Sequence, residues 1–214
     1  LLAQPLFFLQ PGRLIRQLYP SLSWQIPVKD KRIFLTFDDG PVPEATPFVL
    51  ALLKQFNARA TFFCIGKNVE KHASLFRQVQ AEGHRIGNHT YDHLNGWKTK
   101  TKTYVENVKK CDAVMTSDLF RPPYGKISHR QIKNIYPEKK IIMWDILSCD
   151  FDLKVTPEQC IKNVLAHVRP GSIIVFHDSA KAFPNLSKAL PVVLQQLSGA
   201  GFIFDVIPPH QPPQ

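Results

Sequence analysis

The chain has 214 residues, 44% hydrophobic and 21% charged, with a formal net charge of +10. That length suits one domain with a sizeable core, and the composition is ordinary for a globular fold. No apolar run reaches the roughly 18 residues that a membrane span needs. The basic residues are scattered, locally dense only at Lys98–Lys102 and Lys109-Lys110. With no basic-aromatic recognition signature, nucleic acid is set aside as a partner. None of Cys64, Cys111, Cys149 and Cys160 forms a C-x-x-C pair, so a cysteine zinc site is excluded and free thiols are favoured over a disulfide.

The chain opens at Leu1-Leu2-Ala3-Gln4 without Met, which leaves a removed signal or anchor open. Residues 5–25 are apolar and basic. They read as a packing arm rather than a membrane-surface segment, because Pro5, Pro11 and Pro20 would break a long interfacial helix. From Lys31 onward, strand-like and helix-like segments alternate. A strand at 32–37 leads to a helix at 45–55, where Phe48, Leu52 and Phe56 recur four apart. A strand at 60–65 leads to a helix at 68–82, closed by Gly83. A strand at 84–88, a helix at 101–115, a short strand at Leu119-Phe120 and a short helix near 128–135 follow. Next come a strand at 140–144 and a helix from Pro157, capped by Thr156. A strand at 172–176, a helix near 186–198 and a strand at 202–206 complete the pattern. The expected organisation is an arm over 1–30, one domain over 31–207 and a Pro-rich tail over 208–214.

Strand spacings of about 25–30 residues are those of βαβ units. The fold class expected is α/β, a distorted (β/α) barrel of about seven parallel strands, with a doubly wound open sheet as the competitor. Polar clusters follow at least five strand ends, and a barrel converges more strands on one point.

Those clusters carry the chemistry. Asp38-Asp39 is a carboxylate pair at a strand end, where one can ligate a metal while the other faces a reacting water. Asp-Asp-Gly-Pro is also good turn chemistry. His89 and His93, four apart, would share one face of a helical turn and suit a borderline divalent metal. Arg121 before Pro122-Pro123 is a fixed donor for a carboxylate, or a surface Arg before a rigid turn. His177 reads as a core His or a general acid, and Asp150 as a loop acid or the partner of a catalytic His. Asp178 reads equally as a helix N-cap.

The order Thr36-Phe37-Asp38-Asp39-Gly40-Pro41, His89-Thr90-x-x-His93, Arg121-Pro122-Pro123-Tyr124-Gly125, Asp150 and Val175-Phe176-His177-Asp178 resembles the polysaccharide deacetylase family, the NodB-homology domain of carbohydrate esterase family 4. The resemblance covers about residues 31–207 and implies a distorted (β/α) barrel. It implies that Asp39, His89 and His93 bind a divalent metal, zinc ahead of cobalt, manganese or nickel. Asp38 is then the general base, held by Arg121, and His177 is the general acid, tuned by Asp150. The Tyr124 backbone N–H helps stabilise the oxyanion, and Val175 lines the acetyl pocket. The fourth motif departs from the family's Asp-x-x-Asp-Trp: Leu147 stands at the first Asp and Phe151 at the Trp.

The implied activity is hydrolysis of N-acetyl groups on an amino-sugar polymer of peptidoglycan or chitin type. O-deacetylation of acetylated xylan and an inactive carbohydrate-binding module are the alternatives. Tyr91, Trp97, Tyr124 and Phe151 are candidate sugar-stacking residues. The expected partner is an N-acetylated glycan, with membrane or envelope contact through 1–25 as a further reading and a monomer as the expected state. An envelope or secreted location suits that substrate, whereas unpaired cysteines suit the cytoplasm.

Overall fold

The computed structural model describes residues 13–136 and 138–210. In chain order the elements are α1 (Arg13–Leu18), β1 (Leu22–Ser23), β2 (Arg32–Asp38), α2 (Thr46–Gln55), β3 (Thr61–Cys64), α3 (Gly66–Lys71), α4 (Ala73–Ala81), β4 (Arg85–Asn88) and α5 (Thr101–Val114). They continue with β5 (Leu119–Phe120), α6 (His129–Ile135), β6 (Lys140–Ile142), β7 (Ile146–Leu147), α7 (Pro157–Leu165), β8 (Ile173–His177), α8 (Phe183–Gly199) and β9 (Ile203–Phe204). The sheet order is β1-β6-β5-β4-β3-β2-β8-β7, with β9 paired to the start of β2. All the ladders between these strands are parallel.

β6 and β7 are neighbours in sequence but lie towards opposite ends of this order, so the barrel is open between them. It is nevertheless strongly curled. Arg121, just after β5, reaches Thr36 on β2 at 2.8 Å, although β4 and β3 lie between. In a flat sheet those strands would stand about 14 Å apart. This is the distorted (β/α) barrel expected from the strand spacing, with β2 to β8 as its principal strands.

Period-two alternation divides the core. Ile33, Leu35 and Phe37 of β2, with Ile174 and Phe176 of β8, face outward onto Val49, Val164 and Leu190 of the helices. The inward-facing Phe34, Phe63, Leu119, Ile142 and Ile173 pack with Ile26 and Ile207. Beyond Phe34 the inward face of β2 turns polar, with Thr36 and Asp38 met by Arg121. Gly87 on β4 makes room for this arrangement: a Cβ there would come within 2.4 Å of the Phe63 ring.

The helices form where spacing and capping agree. In α5, Tyr104, Val108 and Cys111 make one buried stripe. The Ser128 and Gln131 capping box starts α6, and Thr156 accepts from Gln159 N–H to start α7, with Pro157 in its first turn. Gly83 follows α4 at φ 79, the left-handed turn expected of a helix-terminating glycine. The helix expected over 68–82 is two, broken at His72 (φ −125, ψ 46). The strand expected over 140–144 ends at Ile142, because Met143 turns its N–H to Ser23 O and its carbonyl to Arg121. A separate strand, β7, then follows.

Within 5–25, residues 5–12 lie outside the described residues. The remainder packs on the barrel: β1 pairs with β6, Gln25 bridges Ser172, and Arg16 pairs with buried Asp145. At the other end Ile207 N–H donates to Thr61 Oγ1 and His210 N–H to Asp118. All four cysteines are free and buried. No helix among the described residues is long and apolar enough to cross a membrane.

Substituting Gly87→Ala should cost about 1–3 kcal/mol by overpacking against Phe63. Urea unfolding checks it, and an unchanged midpoint would show that the Phe63 ring yields freely.

Candidate active site

Among the described residues Arg121 is the largest fully buried side chain, at 0% exposure, and it stands inside the barrel. Its guanidinium donates to Asp38 Oδ1 at 2.7 Å, Thr36 Oγ1 at 2.8 Å, Met143 O at 2.9 Å and Ile142 O at 3.3 Å. Its carbon end lies 4.1 Å from the centre of the Phe63 ring. One side chain therefore ties β2, β5 and the end of β6 together and fixes the Asp38 carboxylate at the C-terminal end of β2. Buried charge is tolerated when it is paired and its donors are used, and both conditions hold here.

Asp39 leaves the strand at φ 80, in the left-handed region, so its carboxylate departs from the direction of Asp38. Its Oδ1 lies 3.1 Å from His93 Nε2 and 3.7 Å from His89 Nε2. Burial would raise the Asp39 pKa, but the His93 hydrogen bond and the charges of His177, His89 and His93 hold it well below the usual carboxylate range. Asn68 donates to Asp39 O and Ile65 N–H to Gly40 O, pinning the turn.

His89 directly follows β4. Its Nδ1 sits 2.8 Å from Arg121 O, the geometry of an N–H donating to that carbonyl, which leaves Nε2 facing Asp39 with its lone pair free. Burial lowers its pKa to about 4, overcoming the nearby carboxylates, so the ring is neutral at neutral pH.

His89 and His93 do not lie on a helical turn. Thr90 (φ 61) and His93 (φ 56) are both left-handed, and the segment is an irregular loop. Hydrogen bonds hold it: Thr90 N–H donates to Asn88 Oδ1, while Tyr91 and Asp92 N–H both donate to Asn107 Oδ1. The two imidazoles still converge, with centroids 5.1 Å apart.

Asp39, His89 and His93 offer donor atoms that all lie within 4.8 Å of one another. Asp39 Oδ1 is buried, and beyond the 3.1 Å approach of His93 Nε2 it accepts no hydrogen bond. Two imidazoles and a buried carboxylate oxygen are a donor set that fits a divalent ion of zinc type.

On the other side of β2, His177 ends β8, level with Asp38 in the ladder. Asp150 is fully buried and accepts from His177 N–H at 2.8 Å through one oxygen. Its other oxygen meets His177 Nδ1 at 2.8 Å and accepts from Ser148 at 3.0 Å. Burial would lower the His177 pKa, but the charge and hydrogen bond of Asp150, with Asp39 and Asp38 adding, raise it to about 9.

A model of the polysaccharide deacetylase family matches residues 25–136. The chain belongs to the polysaccharide deacetylase family. It is 35% identical over 190 residues to a peptidoglycan-N-acetylglucosamine deacetylase of Bacillus cereus, covering 85% of this chain and 69% of that one. A chitooligosaccharide deacetylase of Azorhizobium caulinodans is 37% identical, covering 68% and 73% respectively. Among solved structures, a peptidoglycan N-acetylglucosamine deacetylase superposes with a TM-score of 0.83 at 33% identity, covering 88% of this chain and 91% of that one.

Around this cluster, Tyr124 is 60% exposed and its ring stands 4.6 Å from His93. Phe151 stands 4.8 Å from His177 on the other flank. Trp97 is 68% exposed, with its Nε1 donating to Ile127 O. Val175 is buried on the same face of β8 as His177, against Leu147 and Cys149. Tyr91 packs in the outer helical core, its hydroxyl donating to Glu70.

Leu147, at the position of the family's first Asp, belongs to the apolar cluster with Val175, and Asp150 alone supplies the carboxylate to His177. Trp144, between this cluster and the Met143 cluster, packs on Gly125 and was not singled out in the sequence. Asp178 is no N-cap. It is buried and accepts from Gly40 N–H and Thr46 Oγ1, and a Cβ on Gly40 would lie 2.0 Å from its carboxylate. No local pattern marks Asp178, because its partners lie more than 130 residues away in the chain.

Replacing Arg121 with Met should destabilise the protein by about 3–5 kcal/mol, since Asp38 is left as an unpaired buried charge. Adding Asp38→Leu to that variant should restore part of the loss. Urea denaturation of both variants reads the effect, and an undiminished midpoint in the single variant would refute the structural role.

Proposed function

We propose that this deacetylase hydrolyses the N-acetyl group of N-acetylglucosamine units in a cell-wall or chitin-like glycan, with Asp38 as general base and His177 as general acid. The carrying observation is the placement of these two groups, level with each other on adjacent strands and each fixed by a buried partner. The Arg121 guanidinium donates to Asp38 Oδ1 at 2.7 Å and sets the direction of the carboxylate. His177 is held by Asp150, which favours the protonated form at neutral pH.

Asp39, His89 and His93 would hold the divalent ion, and their donor set favours zinc over cobalt, manganese or nickel. Once held, such an ion supplies Lewis-acid polarisation of a carbonyl and acidifies water. The chain's residues divide the remaining work. Asp38 takes the proton of the attacking water. His177 returns a proton to the amide nitrogen, because an amine leaves poorly without one. Tyr124, left-handed at φ 60 beside His93, offers its backbone N–H to the developing oxyanion. Arg121 and Asp150 are both fully buried and therefore act through Asp38 and His177 as positioning residues. Phe151 and Trp97 give apolar faces for sugar rings, and Val175 closes the floor on the acetyl side.

The names of the relatives support N-deacetylation: one acts on peptidoglycan N-acetylglucosamine and another on chitooligosaccharide. A protonated His177 also matters most for a nitrogen leaving group. The test is metal-dependent release of acetate together with a new free amine from an N-acetylglucosamine oligomer. Acetate released only from acetylated xylan, with no new amine, would replace this reading with O-deacetylation.

Asp39→Ala should remove both zinc binding, followed by isothermal titration, and acetate release. His177→Ala should lower kcat by roughly 10²–10⁴-fold. In the wild type, kcat should fall as pH rises through about 9, where His177 loses its proton. Asp150→Asn removes the charge that raises this pKa, so the alkaline limb should move to lower pH. A limb that stays in place would show that His177 is not the titrating acid.

A further inference from the structure

The mouth of the site carries a lysine on an aromatic ring at each flank. On the β4–β5 side, Lys126 Nζ stands 5.4 Å from the centre of the Trp97 ring. Lys126 is two residues beyond Tyr124, whose ring rests on His93. The pair is built into the fold: Gly96 N–H donates to Lys126 O, and Trp97 Nε1 donates to Ile127 O. On the β8–β7 side, exposed Lys181 has its Nζ 5.9 Å from the centre of the Phe151 ring. Phe151 in turn stands 4.8 Å from His177. The sheet order places β3 and β2, and with them Asp38 and Asp39, between the two flanks.

We propose that Lys126 and Lys181 select a glycan carrying carboxylates on the sugars next to the N-acetylglucosamine unit under attack, so that the preferred substrate is an acidic strand rather than neutral chitin. This rests on the deacetylase reading above and specifies its substrate class. The physical case has two parts. An ammonium near an aromatic face is attracted to the ring, which restrains a side chain that would otherwise roam. A sugar ring stacked on Trp97 or Phe151 then brings its substituents to a cation already in place. A neutral polymer has no use for charge at these positions, whereas a carboxylate substituent on either neighbouring sugar would. The chain's net charge of +10 adds a long-range attraction of the same sign.

The test uses one muramic-acid-containing glycan strand, before and after chemical amidation of its carboxylates, with full-length protein loaded with zinc. The readout is the ratio of kcat/KM on the acidic strand to that on the amidated strand. The wild-type ratio should exceed one and shrink as salt is raised. In the Lys126→Gln, Lys181→Gln double variant it should fall about tenfold, the effect of two partly exposed charge contacts of about 0.7 kcal/mol each. Both side chains sit at the surface, and an unchanged melting temperature confirms that the variants fold. The Lys29→Gln, Lys54→Gln double variant, on exposed surface before β2 and near the end of α2, carries the same charge change and should leave the ratio unaltered. An active wild type whose ratio does not respond to the double variant overturns the proposal. A zinc-loaded wild type that releases acetate from neither strand nor from a chitin oligomer overturns the deacetylase reading beneath it.

Discussion

The buried pair of Arg121 and Asp38 is the constraint on which this site depends. A guanidinium inside a barrel is costly unless its donors are used and its charge is met. Here it meets one carboxylate, one hydroxyl and two carbonyls, and it lies against the Phe63 ring. Its partners come from two separate parts of the curl, β2 and the end of β6, so satisfying Arg121 requires the barrel to be bent as it is. Thr36 passes the constraint on, since its hydroxyl donates to Ile174 O on β8. Asp38, the proposed base, is thus positioned by the same contacts that shape the barrel.

Two histidines on either side of Asp38 illustrate how burial and charge divide labour. His89 and His177 are both well enclosed. His89 donates to a carbonyl, and desolvation outweighs the pull of Asp38 and Asp39, so its ring stays neutral, the form a metal would require. His177 is gripped twice by Asp150, and that charge reverses the effect of burial. The two side chains are chemically identical, and the difference lies in one buried carboxylate. Leu147 and Val175 exclude a second polar partner at that place, which makes Asp150 the dominant control on His177.

The sequence disclosed what depends on local pattern. Apolar runs ending in polar clusters marked the strand ends, and Asp38, His89, Arg121 and His177 stand at or directly after β2, β4, β5 and β8. Caps at Thr156 and Gly83 were legible because capping chemistry acts over a few residues. What escaped depends on distance along the chain or on degenerate spacing. β1 and β7 are two-residue strands whose partners decide them. A spacing of four suggests a helix, but a loop with two left-handed residues brings His89 and His93 equally close. Asn88, Asn107 and Asp178 are single polar residues with no periodic signal, and each holds backbone of the site's loops.

Backbone geometry supplies the last link. Asp39, Thr90, His93, Tyr124 and Cys149 are non-glycine residues with φ between 56 and 80, and each lies in a loop that follows a strand of the barrel. Such conformations cost roughly 1 kcal/mol or more apiece and persist only where surrounding contacts over-determine them. The contacts are identifiable. Asn68 and Ile65 hold the turn at Asp39, Asn88 and Asn107 hold the loop from Thr90 to His93, and Asn185 donates to the carbonyls of Asp150 and Asp152 beyond Cys149. A regular strand exit would send successive side chains to opposite faces, which would carry either Asp38 or Asp39 away from the centre. The left-handed exit turns both towards it. The asparagines are therefore as much a part of the site as the residues they orient, because they stabilise the backbone paths, at Asp39 above all, that bring these side chains together.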